Sequence, residues 1–303
     1  MKIVIQTKDL TKKYKNATAL NNFNITINEG DIYGIIGANG AGKSTFKKLI
    51  TGLTSPTSGE IKLFETDDLE KSRTQIGSII ETPSFFKNLT AYENLLYYCK
   101  QFGCEETIIS DCLDKVKLSK VAKTKKFREF SLGMKQRLGI ALALMNNPRL
   151  VILDEPTNGL DPVGISELRD IIKTLNEDGV TFVICSHILS ELSQIATKFV
   201  IISDGNFIKE FTKEELAKMS SDRVVISSPE FDKLKSYLVS KNLKFAEIDA
   251  NTVEVESQDL RAHCFAKDMV EKEIIIDAIY HKKITLEDIF LTILDKNGGN
   301  KNV

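Results

Sequence analysis

The chain has 303 residues, 42% apolar and 27% charged, which excludes wholesale disorder. Forty-one basic side chains against 42 acidic ones leave a net charge of −1, so nothing in the bulk charge draws the chain to nucleic acid or an anionic membrane, although a local patch is compatible with it. No apolar run approaches the roughly 18 residues that span a bilayer, and Lys8 and Asp9 follow the first apolar residues too soon for a signal peptide.

At roughly 150 residues per domain the length suggests about two domains. Short apolar runs at Asp31 to Gly37, Leu150 to Leu153, Thr181 to Cys185 and Phe199 to Ile202 read as strands covered on both faces. Amphipathic stretches alternate with them: Ser44 to Ile50, Ala91 to Gln101, Met134 to Met145, Val163 to Asn176 and Ile188 to Thr197. Strand–helix alternation predicts a parallel α/β core. Asp204-Gly205 then reads as a hairpin turn.

A second unit is expected from residue 221 to 303, after a first from 1 to 220. In it Val224 to Ser227, Lys244 to Ile248, Thr252 to Val255 and Ile274 to Tyr280 read as strands, with helices at Pro229 to Lys241 and Leu260 to Glu271. That order is βαββαβ, of ferredoxin-like type. Thr285 to Leu294 is a last helix, with Thr285 and Asp288 spaced as a capping box. The Asn/Gly-rich tail from Lys296 is expected to fray. Five cysteines with no CxxC pair read as reduced structural thiols of a cytosolic chain.

The sharpest local signal is Gly37-Ala38-Asn39-Gly40-Ala41-Gly42-Lys43-Ser44, which fits GxxxxGK[ST] between a strand and a helix. Glycines let backbone N–H groups turn inward on phosphate oxygens, and the helix N-terminus adds partial positive charge. Lys43 is expected to reach the β- and γ-phosphates and Ser44 to ligate Mg²⁺. The bland alternative is a chance glycine-rich turn. Asp154 and Glu155 follow the apolar strand Leu150 to Leu153. Asp154 is expected at the metal and Glu155 at the attacking water; solvated strand-end acids are the alternative.

Phe130-Ser131-Leu132-Gly133-Met134-Lys135-Gln136-Arg137 resembles the signature motif of ABC ATPases, usually LSGGQ, with Leu132 and Met134 in place of Gly and Gln. Pro156 and Asn158-Gly159-Leu160-Asp161 resemble that family's D-loop, His187 its switch histidine, and Tyr14 its adenine-stacking aromatic. The resemblance runs over roughly residues 3 to 220. It implies a P-loop NTPase core of the ABC type with a helical subdomain, followed by a small C-terminal α+β domain. The site it implies binds ATP through Tyr14, Gly37, Asn39, Gly40, Ala41, Gly42, Lys43, Ser44 and Thr45. Ser131 and Gly133 would face ATP on a second copy and Asp161 would join the nucleotide-binding residues, with Glu155 and His187 catalytic. A separate membrane permease is the implied second partner, with the chain on the inner face of the cell membrane and nucleic acid not bound.

Glu81 stands where the family's Q-loop carries Gln. An ionised Glu only accepts hydrogen bonds and can ligate Mg²⁺; an ordinary loop carboxylate is the alternative. With Ser131 to Met134 and Leu286-Glu287-Asp288-Ile289-Phe290, it resembles the ATP-binding subunits of bacitracin-resistance and lantibiotic-immunity transporters. A peptide antibiotic is then the cargo, bound by the permease. Exporters of drugs, sodium or lipids share the C-terminal pattern, and a soluble ABC regulatory protein is a further alternative. Phe85 and Phe86 read as exposed aromatics of a docking patch or as core plugs.

Overall fold

A computed structural model describes residues 2–15, 17–79, 84–219, 223–256, 262–282 and 284–296. The chain divides into two compact units, Met1–Lys213 and Glu214–Asp295.

The first unit opens with two long strands, β1 (Ile3–Tyr14) and β2 (Ala17–Asn28), paired antiparallel. The sequence reading passes over both, although Phe23, Ile25 and Ile27 alternate with polar residues along β2. Register shifts between Thr7 and Lys13 interrupt the alternation over the rest of the pair. Asp9 and Asn22 take φ of 49° and 44° there, and the Asp9 N–H donates to Asn24 Oδ1 at 2.7 Å.

The fully buried β3 (Ile32–Ile36) leads into helix α1 (Lys43–Ile50). Then come β4 (Ser58–Leu63), α2 (Leu69–Arg73), β5 (Ile76–Ile79), and helices α3 (Ala91–Phe102), α4 (Thr107–Lys115) and α5 (Leu132–Leu144). The unit closes with β6 (Leu150–Asp154), α6 (Pro162–Glu177), β7 (Thr181–Ser186), α7 (Leu189–Leu192), β8 (Lys198–Ser203) and β9 (Asn206–Thr212). The sheet order is β4-β1-β2-β9-β8-β3-β7-β6-β5, and β8, β3, β7, β6 and β5 run parallel. It is an α/β fold on a mixed sheet. Tyr33, Ile35, Phe46, Leu49, Ile152, Val183 and Val200 belong to its core.

Two expectations shift here. Ile188 to Thr197 is not one helix: α7 stops at Leu192, where Gln194 and Ile195 bond three residues back, to Glu191 and Leu192, and the Thr197 N–H is then taken by the Ile32 carbonyl at 2.8 Å as the chain enters β8. Phe85 is a core plug at 9% exposure, packed against Phe127 and Tyr98, whereas Phe86 is 46% exposed on Tyr97. The capping box at Thr90 and Glu93 starts α3, and Asp204 and Gly205, with φ of 48° and 76°, turn β8 into β9.

The second unit holds α8 (Lys213–Met219), β10 (Arg223–Ser227), α9 (Phe231–Ser240), β11 (Phe245–Glu247), β12 (Thr252–Glu256), α10 (Ala262–Glu271), β13 (Ala278–Lys282) and α11 (Leu286–Lys296). Its antiparallel sheet is ordered β11-β12-β10-β13 around Val224, Ile226, Leu234, Leu238, Val253, Phe265 and Met269. The last strand begins at Ala278 and not at Ile274. The Ile274 N–H closes α10 on the Met269 carbonyl at 2.9 Å, and its side chain is buried in the core.

Candidate nucleotide site

Three neighbouring parallel strands, β3, β7 and β6, end together, and the loops beyond their C-terminal ends carry the chemistry. In such sheets that is where ligands bind. Register fixes the alignment: Ile36 pairs with Ser186, and Asp154 with Cys185. The phosphate loop, His187 and Glu155 therefore leave the sheet side by side.

The loop from Gly37 to Gly42 is shaped by two glycines with no room for a side chain. A Cβ on Gly37 would lie 2.5 Å from the Ile202 carbonyl oxygen. Gly42, at φ 111°, would place one 2.6 Å from the Ala19 carbonyl oxygen. The loop is thus wedged between β2 and β8 and delivers α1 with its first turn free of acidic residues. Asn39, Gly40 and Ser44 are exposed, Thr45 is half-buried, and Ala41, Gly42 and Lys43 are buried. The Lys43 ammonium folds back over the loop, donating to the Gly37 carbonyl and, at 3.4 Å, to that of Ala38.

Glu155 joins the three loops. Its Oε1 lies 3.5 Å from Lys43 Nζ, and its Oε2 lies 2.9 Å from His187 Nδ1 and 3.4 Å from the His187 N–H. A carboxylate only accepts, so Nδ1 carries the proton and Nε2 is left for another partner. Glu155 also has a left-handed backbone, φ 44°, anchored by its N–H on the Cys185 carbonyl at 2.9 Å. Such a conformation costs on the order of 1–3 kcal/mol and persists where surrounding structure enforces it.

Sequence reasoning missed Lys47. It lies one turn beyond Lys43 on α1, is fully buried, and ion-pairs with Asp154. The i, i+4 spacing from Lys43 was the available signal, because it puts both amines on one helix face. Asp154 keeps 17% of its side chain exposed. Beneath them Cys185 is wholly enclosed, and burial pushes its thiol up to about 12.

No cluster of three or more His, Cys, Asp or Glu side chains suited to a metal occurs among the described residues. Mg²⁺ does not need one: it takes one or two carboxylates, phosphate oxygens and water. Hard oxygen donors from Asp154 and Ser44 fit that pattern. Glu81 lies outside the described residues.

The remaining site residues are placed apart from this cluster. Ser131 caps α5, accepting from the Met134 N–H at 3.3 Å, and Asp161 caps α6, accepting from the Gly164 N–H at 2.9 Å. The two motifs touch: a Cβ on Gly159 would lie 3.0 Å from Leu132 Cδ2, and Gly133 faces Leu160 and Gly164. Tyr14 ends β1 exposed, with the Lys12 ammonium 5.1 Å from its ring centre.

Comparison with known proteins completes the picture. The ABC transporter family matches residues 20–158. A bacitracin transport ATP-binding protein of Enterococcus faecalis, BcrA, is 39% identical over 98% of this chain and 98% of its own length. The chain belongs to the ABC transporter ATP-binding proteins. A second full-length relative, YcbN of Bacillus subtilis strain 168, is an uncharacterized ABC transporter ATP-binding protein, 36% identical over 98% of this chain and 99% of its own length. The lantibiotic transport ATP-binding protein SrtF of Streptococcus pyogenes is 47% identical over 68% of this chain and 90% of its own. Among solved structures, a dimeric ATP-binding cassette in a post-hydrolysis state with ADP and Pi aligns at TM-score 0.60 and 30% identity, covering 69% of this chain and 98% of that one. A nucleotide-free cassette aligns at TM-score 0.64 and 28% identity over 70% and 92%. The chain is therefore an ABC ATPase cassette that binds ATP and ADP. The family is that of ABC transporters, and the post-hydrolysis cassette among its solved members is dimeric. No helix among the described residues is long and apolar enough to cross a membrane.

Proposed function

We propose that this chain hydrolyses ATP in a dimer of two copies and drives a separate permease that removes a peptide antibiotic of the bacitracin or lantibiotic kind. The observation that carries the hydrolytic part is Glu155, held between Lys43 and His187 where the phosphate loop ends. Lys43 exchanges its loop carbonyls for the β- and γ-phosphate oxygens. Tyr14 stacks on adenine, and Asn39, Gly40, Ala41, Gly42 and Thr45 surround the phosphates. Glu155 orients the attacking water and takes its proton. His187 donates from Nδ1 to Glu155 and turns Nε2 toward the γ-phosphate. Mg²⁺, when bound by Ser44, Asp154 and Glu81, neutralises charge on the phosphates. Ser131, Gly133 and Asp161 act on the nucleotide of the second copy.

Two features support the cargo. Relatives with bacitracin or lantibiotic in their names are 39% and 47% identical. Of these two, BcrA matches through 98% of the chain, and so through the second unit, while SrtF covers 68%. Bacitracin is accordingly the first compound to test, with the chain at the inner membrane face beside its permease. Co-expression with the neighbouring permease in a sensitive bacterium is expected to raise the inhibitory concentration of bacitracin or a lantibiotic, and Glu155→Gln to abolish that protection. Equal sensitivity of both strains, with both proteins in the membrane, would overturn the cargo and favour another exported compound.

A further inference from the structure

Helix α3 ends in a turn that brings two thiols together. Gly103 follows it with φ 69°, the left-handed residue of a Schellman ending. The N–H groups of Gly103 and Cys104 converge on the Cys99 carbonyl, the latter at 3.1 Å. This six-to-one closure makes the residue after the glycine touch the one five earlier, a place ordinarily filled by two apolar side chains. Here both are cysteine. Their sulfurs stand 2.8 Å apart, and Cys99 Sγ also lies 3.0 Å from the Cys104 carbonyl oxygen. Cys99 is buried, Cys104 is half-buried, and Cys112 is buried on the neighbouring α4.

We propose that Cys99 and Cys104 are a modification site, a dithiol that closes to an intramolecular disulfide when it meets a low-molecular-weight disulfide. The inference is independent of the cargo and of the nucleotide reading. Cys104 is the entry point, because it is the more accessible of the two. Its thiolate attacks one sulfur of oxidised glutathione, and one glutathione leaves as thiolate. The Cys99 sulfur, giving its proton to solvent, then attacks Cys104 and expels the second glutathione. Two protein thiols and one oxidised glutathione become one protein disulfide and two glutathiones, so the glutathione is reduced and the pair oxidised. Burial and the neighbouring sulfur hold the Cys99 thiol up at about 11, and burial holds Cys112 at about 12. Those values make both poor first attackers. Cys99 closes the ring through contact and not through thiolate abundance. The backbone is already in the looped conformation, so closure needs no unwinding of α3.

The test treats the folded, full-length chain with oxidised glutathione and reads intact mass, free thiols and peptide maps. Wild type is expected to lose two of its five thiols and the mass of two hydrogens, with no glutathione retained at Cys104. Cleavage after Lys100 separates the two cysteines, so their peptides stay joined until reduction. Cys112→Ser is expected to keep the crosslink and Cys104→Ser to abolish it. Cys99→Ser is expected to trap one glutathione on Cys104. The proposal is overturned if the crosslink survives Cys104→Ser. It is equally overturned if wild type keeps a stable glutathione on Cys104, or if these thiols react only after unfolding in urea.

Discussion

The two halves of the proposed nucleotide site differ in how their polar groups are satisfied. On the phosphate-loop side Glu155 ion-pairs with Lys43 and bonds to His187, and Lys47 ion-pairs with Asp154. Charges there meet charges from distant parts of the chain, assembled by the register of three parallel strands. On the signature side, among the described residues, Ser131 and Asp161 each bond to the first turn of their own helix. A capping bond is local and needs nothing but the helix. The first half is a finished constellation within one copy. The second is an outward-facing pair of helix starts, consistent with use by a second copy.

The largest effects are expected where the finished half is broken. Glu155→Gln keeps the shape but removes the proton acceptor, and turnover should fall by roughly 10² to 10⁴, the usual worth of a positioned base. ATP binding should survive and trap a dimer visible by size-exclusion chromatography; unchanged turnover would remove the base role. The Asp154–Lys47 pair should break asymmetrically. Asp154→Asn strands a fully buried ammonium, at a cost of about 3–5 kcal/mol in urea unfolding without Mg²⁺ or nucleotide. Lys47→Met leaves a carboxylate that water reaches, and should cost markedly less. Equal costs would show that burial does not separate the two partners. Lys43→Ala loses charge-assisted bonds to phosphate worth about 1.5–3 kcal/mol, so ATP affinity should drop roughly ten- to a hundredfold by fluorescence titration. Wild-type affinity would count against the phosphate-loop role.

Legibility of the sequence did not follow that division. The phosphate loop, the acidic strand end and His187 were readable because each is tied to a short apolar run whose end fixes where the residue emerges. Lys47 was passed over because an amphipathic helix rich in lysine reads as solvated; its spacing from Lys43 was the one signal, and the fold shows it as buried as Phe46, Leu49 and Ile50. Register shifts obscure the pairing of β1 from Thr7 to Lys13, while the alternation Phe23, Ile25, Ile27 in β2 was a signal left unused. Ile274 to Ile276 was misread because a run of three isoleucines suits a strand as well as a plug closing a helix. The contact between Cys99 and Cys104 was likewise invisible by spacing alone. It depends on Gly103 taking the left-handed conformation.

The smallest change in stability, and the sharpest test of the outward-facing half, lies at Ser131. Ser131→Ala removes only a cap and should cost about 1 kcal/mol in unfolding free energy. Ser131→Asp restores the cap, since aspartate serves that position as well as serine, and unfolding should return to the wild-type value. The same carboxylate would sit where the phosphates of a second copy's ATP are expected. ATP-driven dimerisation of the Glu155→Gln protein should therefore fail with aspartate at 131 while the fold is intact. If Ser131 is only a helix cap, the aspartate variant will dimerise as readily as its parent.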